Sequence, residues 1–291
     1  MTEMVTQHII INYIYYQLSF YRRWRLFTQK PDLLHRGYLL HNYLISATLI
    51  NPHSHKTFPT KTYKNSRQHT TKMPHKFSPS SLSLLKDCPR CFWLQFNKGI
   101  KRPDTIFPSL PSGMDRILKA YFDSFGEALP PVLKELKGVK LFNNKELLDI
   151  WRNNFKGIPW TDEEGNLFRG AVDCLLKKKN KLIVLDFKTR GYPVKEDTTE
   201  HYKDQLDIYN FLLRKNNYET EDYSYLLFYH PEKVNKKGDV VFNTDLIKMP
   251  VNIKNAEKIF REAVNILKKP MPKPSEDCGF CKWVDHCQKI V

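Results

Sequence analysis

The chain has 291 residues, with 47 Lys and Arg against 31 Asp and Glu, and a formal net charge of +16. That length buries a core without disulfide or metal staples, and the charge excess points to a polyanionic partner, nucleic acid before all others. The apolar run HIIINYIYYQLSF at 8–20 has no basic stretch before it and no small-residue cleavage site after it. It is also too short to span a bilayer, so a soluble cytoplasmic protein with no membrane partner is expected. In a reducing compartment its six cysteines read as metal ligands or catalysts before disulfides.

Residues 1–72 differ from the rest. They hold six of the ten histidines, and ten Lys and Arg against two Asp and Glu. From Asn51 to Lys72 the chain is mostly Thr, His, Lys, Ser and Asn with no apolar period, a composition that does not fold. This segment reads as a disordered basic arm or as the product of a start placed upstream of Met73. The regular signals begin in residues 73–291.

Ser78 followed by Pro79 is an N-cap with Pro at the first helical position, and the helix SSLSLLKD runs into Cys88-Pro89. RCFWLQF is a second short helix. Residues 112–124 are helical, with Met114, Ile117, Leu118 and Tyr121 on one side. LFRGAVDCLL (167–176) reads as one strand, KKKN (177–180) as a turn, and KLIVLDFKT (181–189) as a second strand. HYKDQLDIYNFLLRKN (201–216) is an amphipathic helix. YSYLLFY (223–229) and DVVFNTDLIKM (239–249) are strands, and NAEKIFREAVNILKK (255–269) is a closing helix. No internal repeat and no P-loop or other helicase motif is present. The order of elements is that of a mixed α/β fold.

The chemistry concentrates in the 167–189 hairpin. Asp186 and Lys188 are two apart on a strand and share a face, and antiparallel pairing brings Asp173 across from them. Two carboxylates converging with an ammonium suit metal-assisted phosphodiester hydrolysis: hard oxygen ligands for Mg²⁺, a Lewis acid for the phosphoryl group, and a cation for the charge that develops on it. A D-x-K at a strand end is otherwise a solvated pair of little energetic weight. Here Asp186 follows the apolar run KLIVL. Gln205 and Tyr209 lie four apart on one helix face, which Tyr202 extends. They are placed to hydrogen-bond the acidic site or a DNA phosphate.

Cys278, Cys281 and Cys287 form a C-x2-C-x5-C group, compact enough to bind metal. Cys88 or Cys91, far away in CPRC, supplies a fourth thiolate. Four thiolates suit zinc or an iron–sulfur centre. Cys174 points away from Asp173 and reads as core. Lys177, Lys178, Lys179 and Lys181, with Arg190, are candidates for non-specific phosphate contacts. Trp93, Tyr192 and Tyr202 are candidates for stacking on single-stranded bases.

GAVD, LDFKT and QLDIY together resemble the nuclease core of the PD-(D/E)XK superfamily, in its RecB-like branch. The opening SPSSLSLLKDCP is similar to that branch's Ser-Leu-rich helix ending at Cys-Pro. The resemblance covers Phe77 to Cys287. It implies an α/β fold with a restriction-endonuclease-like core, a small mixed β-sheet flanked by helices, and a C-terminal cysteine-cluster segment (278–287). It implies a Mg²⁺- or Mn²⁺-dependent deoxyribonuclease, with exonuclease action as in CRISPR-associated and AddB-type enzymes. Its partners would be DNA with single-stranded ends and a helicase or recombination partner. Asp173 and Asp186 would be metal ligands, Lys188 the catalytic lysine, and Gln205 and Tyr209 the Q-x-x-x-Y pair. Cys88, Cys278, Cys281 and Cys287 would hold a [4Fe–4S] cluster, with Zn²⁺ as the alternative. Many branch members carry a further metal-ligating His in an upstream helix. The matching stretch SGMDRILKAYFD has none, which leaves Asp115 or Asp123 for that place. It also keeps open a catalytically silent nucleic-acid-binding module on the same fold.

Overall fold

The computed structural model describes residues 74–195 and 197–290; the segment 1–72 discussed above lies outside them. In chain order the elements are β1 (Lys76–Phe77), α1 (Pro79–Asp87), α2 (Pro89–Lys98), α3 (Ser109–Asp123), a 3-10 turn (Pro131–Leu133), β2 (Lys140–Leu141), α4 (Lys145–Trp151), β3 (Ile158–Thr161), β4 (Leu167–Gly170), β5 (Cys174–Lys178), β6 (Lys181–Thr189), α5 (Glu200–Lys215), β7 (Tyr223–Val234), β8 (Val240–Pro250), α6 (Ile253–Leu267) and α7 (Gly279–Cys287).

Local chemistry explains the first boundaries. The Ser78 hydroxyl accepts from the Ser81 N–H while the Ser81 side chain caps back onto Ser78, a reciprocal box with Pro79 in the first turn. Such a cap contributes about 1 kcal/mol. Cys88 ends α1 in extended backbone, because the residue before a proline avoids the helical region, and Pro89 starts α2.

Five strands form a mixed sheet in the order β2-β5-β6-β7-β8, with β6 and β7 parallel and the other neighbours antiparallel. Helix α5 is the crossover between the parallel pair. A smaller sheet, β1-β4-β3, stands beside it. The large sheet has a core on each face. On one, Leu175, Leu182, Val184, Leu226 and Phe228 pack under α5 and α6 with Leu206, Phe211, Leu212 and Phe260. On the other, Leu176, Ile183, Leu185, Phe187 and Leu227 pack with Leu118 and Phe122 of α3. The period of two along β6 deals its residues alternately to these cores. Buried polar groups tie α5 in place: Asn210 Nδ2 donates to Ser224 Oγ on β7 (2.8 Å), and Asp207 accepts from the Asn252 N–H (2.7 Å) and Asn255 Nδ2 (2.8 Å) at the start of α6.

The mixed α/β fold expected from the sequence is the one observed, a small mixed sheet flanked by helices as in restriction-endonuclease-like cores. One expected strand is divided. The stretch 167–176 is two strands in two sheets, β4 and β5, broken at Ala171-Val172-Asp173. The break is built around Gly170. A Cβ there would meet the Tyr209 ring at 2.9 Å and Leu212 at 3.0 Å, so α5 lies directly on the β4 backbone. Leaving β4 at that point, the chain delivers Asp173 as a free corner.

Gly170→Ala is therefore expected to lose about 1–3 kcal/mol by overpacking. Gly113→Ala, inside α3 with nothing within 4 Å of the added methyl, is expected to gain about 0.5–1 kcal/mol from helix propensity. Urea denaturation of the two variants checks both signs. A neutral Gly170→Ala would contradict the packing account.

Candidate active site

Asp173, just before β5, lies across from Asp186 in the continuation of the β5–β6 register, in which Cys174 pairs Leu185. On β6, Asp186 and Lys188 continue the row begun by Leu182 and Val184, so both face α5. The Phe187 N–H donates to Asp173 Oδ2 (3.0 Å), which pins the corner carboxylate against β6. Lys188 Nζ pairs with Asp186 Oδ2 and donates to Gln205 Oε1 (3.1 Å). Gln205 Nε2 in turn donates to the Tyr209 hydroxyl (2.6 Å). The Lys188 ammonium also stands 4.7 Å from the Tyr202 ring centroid, a cation–π contact. The five residues expected from sequence at this site, Asp173, Asp186, Lys188, Gln205 and Tyr209, are thus brought together.

Asp186 is 1 % exposed. Burial pushes its carboxyl up to about 7, reinforced by the Asp173 charge and opposed by Lys188. Its Oδ2 atom meets the Lys188 ammonium as a close ion pair, yet no donor satisfies it with hydrogen-bond geometry. Burial acts downward on the Lys188 ammonium, but Asp186 and Asp173 outweigh it, and the net shift is upward. Lys188 is held as a cation. The Tyr209 hydroxyl is held neutral by its burial.

A second lysine enters from α3. Lys119 Nζ lies 3.0 Å from Asp173 Oδ1 and 2.8 Å from Asp115, bridging the two carboxylates. Burial opposes its charge, and the Asp173 and Asp115 carboxylates override that and raise its pKa. Lys119 was missed in the sequence, although its position four residues after Asp115 is the spacing of a helical ion pair. Asp115 therefore reaches the site through Lys119. Asp123 does not: it takes both Nη groups of Arg152 (2.7 and 2.9 Å), while Arg152 Nε donates to the Asp173 carbonyl (2.8 Å). Arg152 is a brace for the Asp173 corner.

The lysines of the β5–β6 turn are not beside this site. Lys177 to Lys181 sit at the opposite end of the hairpin from Lys188, seven residues along a strand and so about 23 Å away. Of the aromatic candidates, Tyr202 is at the site, Tyr192 is 77 % exposed, and Trp93 donates its indole N–H to the Lys269 carbonyl (2.9 Å).

The cysteines divide differently from expectation. Cys88, Cys91, Cys278 and Cys281 are gathered, all buried, with their Sγ atoms within 4.8 Å of one another. Cys287 is outside the group and Cys91 takes the place expected for it. The reason is helical geometry. Cys278 caps α7 and Cys281 is in its first turn, whereas Cys287 ends the helix, six residues on, about 9 Å along the axis and on another side. Cys174 is buried core, as expected. Among the described residues no helix is long and apolar enough to cross a membrane.

The raised Asp186 carboxyl makes a pH prediction. Between about 4 and 7 the unfolded chain has lost this proton while the folded chain retains it. The folded state then binds more protons, so stability falls as pH rises through that window. In chelator-treated protein, the stability of wild type relative to Asp186→Asn should decline from pH 4 to 7, by at most about 1.4 kcal/mol per pH unit, and level off above 7. Urea unfolding across that range measures it, and a flat or rising difference would contradict the burial account.

A search of curated proteins finds no relative of this chain. Residues 146–288, which hold Asp173, Asp186, Lys188, Gln205 and Tyr209 but not α1 to α3, match the family model of the PD-(D/E)XK nuclease superfamily.

Proposed function

We propose that the chain is a divalent-metal-dependent deoxyribonuclease. The observation that carries this reading is the convergence of Asp173, Asp186, Lys188 and Gln205 at one end of the β5–β6 hairpin, inside the segment that matches a nuclease superfamily. Two carboxylates side by side at the end of the hairpin are a hard-oxygen donor set and suit a cation such as Mg²⁺ or Mn²⁺. When bound there, the ion would draw negative charge from a phosphoryl oxygen.

The rest is the work of the chain's own side chains. Asp186 and Asp173 are fixed by the sheet and by the Phe187 N–H. Lys188 is held as a cation, so its part is to stabilise charge on the phosphate or to orient the attacking water, and not to take up a proton. Gln205, itself held by Tyr209, fixes the direction of the Lys188 ammonium. Hydrolysis adds the hydroxyl of water to phosphorus and breaks the bond to one ester oxygen, which receives the water's other proton by way of solvent. A groove of about 1020 Å³ between α1, α5 and α6 opens at Tyr202 and Gln205. Its walls carry Lys86, Lys258 and Lys269 but also Asp87, Asp204 and Glu262, with Lys86 paired to Asp204 and Lys258 to Glu262, so it gives a strand access to the site by shape and not by a basic lining. Exonuclease action on single-stranded DNA ends is part of this reading. A helicase or recombination enzyme would supply such ends.

One observation favours a second reading. Lys119 neutralises Asp173 and Asp115, so an ammonium takes carboxylate lone pairs that a metal would use. A silent DNA-binding module on this fold would look the same.

Cleavage of end-labelled single- and double-stranded DNA with Mn²⁺, Mg²⁺ or chelator separates the two. The nuclease reading expects metal-dependent cutting that Asp186→Ala brings to background and Lys188→Ala lowers by roughly 10²–10³-fold. DNA binding with no cutting under any metal would establish the silent module.

A further inference from the structure

Far in sequence from the acidic site, two Cys-x-x-Cys knuckles face each other. Cys88 is the N-cap of α2 and Cys91 lies in its first turn; Cys278 is the N-cap of α7 and Cys281 lies in its first turn. The sulfurs lie 3.6 Å apart for Cys91 and Cys278, 3.7 Å for Cys91 and Cys281, and 3.9 Å for Cys88 and Cys281. Zinc–sulfur bonds near 2.3 Å in a tetrahedron set the four sulfurs about 3.8 Å apart. A [4Fe–4S] cluster needs more room, because each thiolate binds a different iron and the four sulfurs stand beyond separate corners of a cube. The observed spacing fits one ion and does not fit the cluster.

The rest of α7 also calls for a cross-link. Cys281 is its one buried residue, while Trp283 is 69 % and Val284 48 % exposed. A nine-residue helix is not stable alone, and apolar burial does not dock this one. The polar supports match a negatively charged metal centre. Arg102 Nη2 donates to Cys278 Sγ (3.7 Å), with its guanidinium 4.8 Å from the Phe280 ring. Both helices present their N-terminal dipole ends to the sulfurs.

We propose that Cys88, Cys91, Cys278 and Cys281 bind a single zinc ion in a closed tetrathiolate site, that Cys287 is not a ligand, and that the ion holds α7 against the α1–α2 corner. With four thiolates and no open position, the site is structural. It makes no demand on the nuclease reading.

The test is metal and acid-labile sulfide analysis of the full chain, purified anaerobically, followed by replacement of the bound metal with Co²⁺. About one zinc per chain with no sulfide, and a cobalt spectrum showing tetrahedral d–d bands with thiolate charge transfer, are expected. Cys91→Ser should lose the metal, and Cys287→Ser should keep it. Iron with sulfide at about four per chain, a single iron, or metal-free disulfides would each overturn the proposal, as would loss of metal in Cys287→Ser alone. The wild-type analysis decides even if Cys91→Ser fails to fold. It is read without a cleavage assay, so its failure is distinct from failure of the nuclease reading.

Discussion

A carboxylate and an ammonium share the end of a strand whose earlier residues on the same face are Leu182 and Val184. Asp186 has left water almost completely, and Lys188 nearly so. Burial is costly to both charges, and their pairing and the polar groups around them offset only part of that cost. The neighbouring structure follows from that constraint. Gln205 and Tyr202 surround the ammonium, Tyr209 holds Gln205, and Gly170 lets Tyr209 come that close to the β4 backbone. The Phe187 N–H and Arg152 then fix Asp173 beside the pair. Each charged group of the site is thus held by contacts from more than one element.

The thiol group bears on the same site through α1. Cys88 ends that helix, and Lys86, two residues earlier, pairs with Asp204 at 2.9 Å on α5. Asp204 also accepts from Asn255 of α6 (2.9 Å). A clamp at Cys88 therefore fixes one wall of the groove whose far wall carries Gln205. The acidic site and the cysteine site are thus joined through α1 and α5.

Much of this was legible because it rests on short-range periodicity. The alternation in KLIVLDFKT put Asp186 and Lys188 on one face, and the four-residue spacing of Gln205 and Tyr209 put them on one side of α5. What was hidden depends on where chains meet. The division of 167–176 into β4 and β5 is made by Tyr209 and Leu212 pressing on Gly170, from about forty residues away. Lys119 reads as an exposed i,i+4 pair until α3 is docked beside Asp173. Spacing grouped Cys278, Cys281 and Cys287 and left Cys88 or Cys91 open as the fourth, and the family resemblance favoured Cys88. Only the facing helix starts of α2 and α7 show that Cys91 is turned inward and Cys287 is a helix length away. The turn lysines looked adjacent to the acidic residues because a hairpin is compact in sequence, although its two ends are far apart in space.

On the proposed reading Asp173 and Asp186 form one cation site, Lys119 notwithstanding. Mn²⁺ titration of the full chain, followed by electron paramagnetic resonance of the free ion, would decide it. Saturable uptake by wild type that is lost in both Asp173→Asn and Asp186→Asn, with circular dichroism unchanged, is the predicted result. Uptake that persists in both variants, or no uptake by wild type at all, would contradict it.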